Sequence, residues 1–363
     1  MVSIDRKSSK IDNMKKRLVA IILIMIMGMI SLCGCEGKSD RELTEELSGE
    51  NPDEELIVVG FSQIGAESDW RWANSESMKS VFVPENGYKL IFEDAQQKQT
   101  NQIMAIRSFI QQEVDYIVLA PVTETGWDTV LCEAKDAGIP VIVVDRMVDV
   151  DDSSLFNCFV GSDFELEAKK ACSWLEEYLT SVKMDASEIH IADIQGTIGA
   201  SAQIGRSQGL YTACEDNGWD LAAVEPGEFT ESKGYEAASS ILEKHKNINV
   251  FYCENDNSAF GAIEAIENAG YNVGLDIQNG DIMVISFDGV NEEALQDVID
   301  GKIACIAECN PMHGPRVEAL IQQLENGQHP DKLSFVDEDF FSSYDKINSV
   351  IANGKGYPVT ILK

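Results

Sequence analysis

The chain has 363 residues and a formal charge of −34, from 62 Asp and Glu against 28 Lys and Arg. That balance excludes a nucleic-acid binder, which needs clustered Lys and Arg to meet phosphate. It also speaks against a strongly anionic ligand.

Met14–Arg17 (MKKR) is a basic start, and Leu18–Leu32 is a nearly unbroken apolar run ahead of Cys33-Gly34-Cys35. At about 15 residues the run falls short of the roughly 20 needed to span a bilayer and has the length of a signal-peptide apolar region. Export follows. Leu32-Cys33-Gly34-Cys35 resembles a bacterial lipobox, which makes residues 1–35 a lipoprotein signal peptide ending at the lipobox cysteine. Cys35 is then the lipidated first residue of the mature chain and its link to the membrane. Met14 directly precedes the basic run, so the first thirteen residues read as an upstream extension of the true start. Residues 36–55 are rich in Glu, Asp, Ser and Gly and poor in large apolar side chains. Such a segment buries too little surface to order itself and reads as an acidic, disordered tether.

The remainder, 56–363, is about twice the usual domain length, so two lobes are expected. Short β-rich runs (Leu56–Phe61, Tyr88–Phe92, Tyr116–Leu119, Pro140–Val144) alternate with amphipathic stretches (Trp70–Val83, Asn101–Gln112, Gly126–Ala137). After Phe159 the rhythm restarts. Strands are expected near Ile189–Ile194, Asn249–Cys253, Ile282–Phe287 and Ile303–Ala307, with helices near Phe164–Tyr178, Ala200–Asn217, Ser258–Ala269 and Glu292–Ile299. Alternating strands and helices imply βαβ units, hence an α/β fold of two Rossmann-like lobes with parallel sheets. Gly87, Gly138, Gly218 and Gly270 follow apolar-periodic runs where left-handed C-caps are needed. Cys132, Cys158, Cys172, Cys214, Cys253, Cys305 and Cys309 follow Cys35. An odd number without framework spacing predicts buried free thiols.

Parallel α/β sheets bind ligands outside the carboxyl ends of their strands. Here those ends carry Ser62-Gln63, Asp145-Arg146, Gln195-Gly196-Thr197, Asn255-Asp256, Asp288, and Glu308 with Asn310. An Asp or Asn after a strand is often only a cap or turn residue, but the set as a whole predicts one polar cleft. Asp145, Arg146, Arg206, Asp256 and Asp288 are planar groups able to hold paired hydroxyls in bidentate fashion. Trp70 and Phe229 are candidates to stack on the apolar face of a sugar ring; their alternative place is lobe core.

Eight ordered stretches carry a resemblance to a known family: Val59–Arg71, Asp94–Ile110, Ala120–Trp127, Ile139–Arg146, Gln195–Arg206, Glu254–Asp256, Phe287–Val290 and Glu308–Pro315. From Leu56 to about His329 the chain resembles the type I periplasmic sugar-binding proteins of ABC transporters, the ribose-binding-protein class, and within it the galactofuranose-binding subgroup. That resemblance implies a three-segment hinge, with crossovers near Phe159, Glu308 and Phe340. It places an N-terminal lobe at 56–159 plus 309–340 and a C-terminal lobe at 160–308 plus 341–363. It also implies that Asp145, Arg146, Arg206, Asn255 and Asp288 grip sugar hydroxyls, with Asp256 beside them and Phe229 as a wall aromatic. Glu308 stands where ribose binders have glutamine. Ser62, Gln63, Glu67, Trp70, Arg71, Gln195 and Thr197 complete the candidate set, of which Gln63, Glu67, Trp70 and Arg71 fall in the segment that distinguishes the subgroup. Phe156–Val160 and the region after Lys332 depart from it.

The implied partners are a small neutral sugar, a permease and ATPase complex, and the membrane through the N-terminal lipid; the chain is expected to be a monomer without cofactor. No enzyme is expected. His190, His245, His313 and His329 lack metal-ligand spacing, and Gly196–Gly199 is not a GxGxxG turn. The Asp149, Asp151, Asp152 cluster is no EF-hand, because Ser154 stands where that loop needs glycine. A sugar-responsive repressor of this fold is excluded, since an export signal replaces the DNA-binding segment. A sensory role, presenting the closed form to a receptor kinase, stays open on sequence.

Overall fold

The computed structural model describes residues 56–363. The export signal, Cys35 and the tether lie outside the described residues.

The first sheet contains β1 (Ile57–Gln63), β2 (Tyr88–Asp94), β3 (Tyr116–Leu119), β4 (Val141–Asp145), β5 (Cys158–Gly161) and β11 (Leu333–Phe335). They lie in the order β11-β5-β4-β3-β1-β2, every pair parallel. Helices cover both faces, as parallel sheets require. Met78 of α1 (Asp69–Val81) and, from the later helix Gly314–Glu325, Val317, Leu320 and Ile321 pack on Val59, Phe61, Val118, Ile142 and Val144. On the opposite face, Ile106 and Phe109 of α2 (Gln99–Gln111) and Leu131 of α3 (Asp128–Asp136) meet Ile117, Leu119, Val141 and Val143. Successive strand residues enter opposite cores, so each strand reads as a continuous apolar run rather than an alternating one.

The second sheet repeats the plan with β6 (His190–Gln195), β7 (Asp220–Pro226), β8 (Val250–Cys253), β9 (Met283–Asp288) and β10 (Cys305–Glu308), and adds β12 (Phe340–Ser342) and, at its end, Thr360–Ile361. Its order from β10 inward, β10-β9-β8-β6-β7, matches β5-β4-β3-β1-β2 of the first sheet. Trp174, Leu175 and Tyr178 of α4 (Phe164–Val182) and Leu210 of α5 (Ser201–Asn217) form one core. Ile241 of α6 (Glu231–Lys244), Ile266 of α7 (Asp256–Asn268) and Val298 of α8 (Glu292–Ile299) form the other. The fold is therefore α/β in two lobes. The chain changes sheet between β5 and β6, between β10 and α9 (Gly314–Glu325), and between β11 and β12.

Several expectations need correction. β12 runs antiparallel to β10, so the second sheet is not wholly parallel. β7 and α6 have no counterpart in the sequence reading. β7 is an edge strand, half-exposed along most of its length, and the buried face of α6 begins with Gly234, Ala237 and Ala238, a weak apolar signal. The thiols are free as expected, and six of the seven described are buried, but Cys132 is exposed on α3, 4.0 Å from Asp136 one turn on. Gly87, Gly138, Gly218 and Gly270 all adopt positive φ.

Candidate ligand-binding site

The carboxyl ends of both sheets face one cleft, and each lobe supplies the same pair of groups. The fourth strand of each lobe ends in an aspartate with positive φ, Asp145 at 67° on β4 and Asp288 at 101° on β9. A left-handed backbone at a residue with a Cβ costs of order 1–3 kcal/mol and is retained where it aims a side chain. Each aspartate meets an arginine from the helix after its lobe's first strand. Arg71 Nη1 on α1 lies 2.8 Å from Asp145 Oδ2, and Arg206 Nη2 on α5 lies 3.5 Å from Asp288 Oδ1.

These arginines are fixed from behind. Arg71 Nε donates to Glu67 Oε1 at 3.1 Å and Nη1 to Gln63 Oε1 at 3.2 Å. Arg206 Nε donates to Glu167 Oε2 at 2.8 Å and Nη1 to the Glu254 carbonyl. A third arginine is held more loosely: Arg146 approaches Glu67 at 3.8 Å and Asp145 at 3.9 Å and donates to Val122 O at 3.3 Å. Burial, then the neighbouring Arg71 charge, lowers its pKa to about 10. For Arg71 burial acts the same way, but the Asp145 and Glu67 carboxylates overcome it and raise its pKa. Burial holds Asp288 well above the carboxylate range, because the single Arg206 guanidinium is shared with Glu167. A carboxyl that keeps its proton can donate as well as accept.

Aromatic walls close the cleft. Arg71 lies 4.7 Å from the Trp70 ring centroid, and Arg146 crosses from the first lobe to sit 4.9 Å from that of Phe229 in the second. Phe229 reaches this place because residue 196 is glycine: a Cβ there would stand 1.9 Å from its Cζ. Trp70, Phe164, Ala200, Ala202, Phe229 and Cys309 form a small apolar cluster between the lobes. The lobes also bond directly. Asp69 Oδ2 accepts from Asn257 Nδ2 at 3.2 Å and Asn291 Nδ2 at 2.8 Å, and Trp70 Nε1 donates to Cys309 O of the hinge at 2.7 Å. The cavity left between these side chains is about 20 Å³, room for about one water, so a bound ligand takes the place of the contacts that now cross the cleft.

Of the predicted residues, Trp70, Arg71, Asp145, Arg146, Arg206, Phe229, Asn255 and Asp288 line the cleft. Asn255 is also the N-cap of α7, accepting from Ser258 N at 3.0 Å while its Nδ2 donates to Phe229 O. The others lie off this lining. Ser62 is buried beneath the β1 end. Gln63 donates to Asn74 and Ser75, and Glu67 orients Arg71. Gln195 is tied to Ser207 and Tyr211, and Asp256 accepts from Ser286 Oγ and Gly289 N. Glu308 binds Asn310 and Asp339 N at the hinge. Thr197 lies in the turn before α5, outside the lining. The reading missed Ser68, Phe164, Ala202 and Cys309 on the wall; Cys309 falls inside the quoted stretch Glu308–Pro315, while Phe164 carries no polar signal. His313 is no ligand candidate: its ring packs against Trp70, centroids 5.9 Å apart, and burial pushes its pKa down to about 3.

Two doubly wound lobes closing arginine–aspartate pairs around a small polar space define a bilobal solute-binding protein. The family profile described as a periplasmic binding protein domain matches residues 59–328. A galactofuranose-binding protein of Escherichia coli K12 is 40% identical over 284 residues, 77% of this chain and 85% of that one. A Mycobacterium smegmatis structure in complex with β-D-fucofuranose is similar with a TM-score of 0.74 at 38% identity, covering 79% of this chain and 91% of that one. The binding protein of the arabinose ABC transporter from Shewanella sp. ANA-3, bound to α- and β-L-arabinofuranose, gives 0.71 at 39% identity, covering 78% and 91%. The chain belongs to the periplasmic binding protein family, in the type I, sugar-binding class of ABC-transporter components.

Proposed function

We propose that this protein captures a galactofuranose- or galactose-like monosaccharide in furanose form by hinge closure and passes it to the permease and ATPase of an ABC transporter. The observation that carries the reading is the paired Arg–Asp wall contributed by both lobes, with charges near balance and aromatic rings at its sides. Such a wall offers bidentate partners to vicinal hydroxyls without demanding a charged ligand. Contacts from both lobes exist together only in the closed form, so binding shifts the population toward it. The relatives named above are binding proteins of furanose sugars, and a furanose presents its hydroxyls on a flatter, smaller ring than a pyranose. The chain is a binding protein and not an enzyme, as its relatives are.

A thermal-shift panel of pentoses, hexoses, polyols and nucleosides tests the ligand class, because a ligand that binds only the native state raises its melting temperature. Galactose, fucose or arabinose, each able to adopt a furanose form, is expected to give the largest shift, with calorimetry confirming one site. A shift confined to nucleosides or polyols overturns the choice of sugar.

We further propose that Cys35 carries the lipid and that the mature protein acts as a monomer tethered to the membrane by residues 36–55. Cys35→Ala is expected to move the protein from the detergent phase to the aqueous phase in partition experiments on expressing cells. Retention in the detergent phase excludes this anchor.

A further inference from the structure

The hinge holds a cluster at the edge of the sugar site, where Cys309 also lines the cleft and Glu167 also holds Arg206. Cys309 follows β10, Glu338 lies between β11 and β12, and Glu167 projects from the first turn of α4, so the three come from separate segments. Cys309 Sγ and one carboxylate oxygen each of Glu167 and Glu338 all lie within 4.8 Å of one another. We propose that these three residues form a binding site for a divalent cation of the zinc class.

The donor set fits that class, since zinc accepts thiolate sulfur and carboxylate oxygen, and three protein ligands leave a tetrahedral position for water. A second observation points to a missing partner. The Glu167 side chain is only 1% exposed; its Oε2 accepts from Arg206 Nε, while its Oε1 is buried with no hydrogen-bond partner. Buried polar atoms in native proteins are nearly always satisfied, and an unsatisfied one beside two further ligand atoms leaves a place for a water or an ion. Because Arg206 holds the other oxygen, a cation on Oε1 does not displace it. The outer partners are in place as well. Ser162 Oγ donates to Glu338 Oε1 at 2.6 Å, Asn310 N donates to the same atom at 2.8 Å, and Ser162 Oγ lies 3.3 Å from Cys309 Sγ. Such contacts fix ligand orientation. Lys170 Nζ is turned to the Glu338 carbonyl at 2.9 Å rather than to its carboxylate.

A cation here would tie two hinge segments to the second lobe, beside the cleft that Cys309 lines. It would also act on Arg206 through Glu167, so cation and sugar affinities would be linked reciprocally.

The test uses the full-length chain in detergent, stripped with EDTA, freed of chelator and kept reduced. Titration with Co²⁺ is expected to give a near-ultraviolet thiolate-to-metal band saturating at one equivalent, and Zn²⁺ alone is expected to raise the melting temperature. Both effects should vanish in Cys309→Ser. Glu338→Gln should weaken Co²⁺ binding at least about tenfold, the loss that follows removal of even an outer partner of a metal ligand. Absence of a band overturns the proposal. So does a band that survives Cys309→Ser, whether the exposed Cys132 or another thiol carries it. Should Cys309→Ser fail to fold, undiminished binding in Glu338→Gln overturns it alone.

Discussion

Arg206→Ala is expected to abolish measurable sugar binding and to destabilise the fold by about 3–5 kcal/mol, the cost of removing one partner from a buried charge network. Its guanidinium is 2% exposed and serves two carboxylates and a carbonyl, those of Glu167, Asp288 and Glu254. Burial already pushes Glu167 up to about 7 against the Arg206 charge. Without that charge Glu167 takes up a proton, Asp288 loses its donor, and so does the Glu254 carbonyl. Arg206→Lys should restore part of the stability but little of the affinity, because an ammonium lacks the planar fork that meets several acceptors at once. Arg146→Ala is the contrast. Its ion-pair distances of 3.8 and 3.9 Å show weaker commitment to the lobe, so the loss should fall on affinity, about 2 kcal/mol, with a smaller effect on unfolding. Urea unfolding and calorimetry on the three variants separate the two effects. Wild-type affinity in folded Arg206→Ala would remove this residue from the site.

The repeated plan of the lobes explains why so much of the cleft is legible in the sequence. A strand buried on both faces is an apolar run, and the polar residue that ends it is conspicuous. Asp145, Arg146, Asn255 and Asp288 stand out for that reason, and the topology brings all four to one cleft. The same rule also picks out Gln63, Asp256 and Glu308, which lie off the lining. A polar residue at a strand end can equally serve its own lobe, as Gln63 does for Asn74 and Asp256 for Gly289, and only the direction of the side chain tells the two uses apart. Phe164 is the reverse case: it opens α4 after the cap Asp163 and would pass for core, yet lobe closure brings it to the wall. The hinge cluster is beyond any local reading, because Glu167, Cys309 and Glu338 are brought together only by the crossovers between sheets.

Stability is expected to fall as pH rises from about 5 to 7, the reverse of the usual behaviour of carboxylates. Asp193 is buried on β6, and Glu254 is buried just past the end of the neighbouring β8. Glu254 accepts from Ser207 Oγ at 2.6 Å and Gly196 N at 2.7 Å; Asp193 has one weak donor, Tyr211 OH at 3.2 Å. Burial raises both, with Asp193 adding to the rise of Glu254, and Arg206 is too engaged elsewhere to offset it. Asp256 accepts from Ser286 and Gly289 N and is pushed by burial to about 7. In the unfolded chain these groups titrate near 4. Between about 4 and 7 the native state therefore binds more protons, and stability present at low pH is lost as pH climbs through the folded values, by about 1.4 kcal/mol per pH unit for each extra proton. His313 works in the opposite sense below its unfolded value of about 6.5, because burial keeps it neutral down to about 3. His313 cancels only one of these three extra protons, so the net fall already runs from about pH 5 to 7. Melting curves from pH 5 to 8 at fixed ionic strength, with EDTA present, measure it. Asp256→Asn, which mimics the neutral carboxyl, should flatten the slope, whereas a wild-type profile that rises through neutrality would mean these carboxylates are ionised and paired in the folded chain.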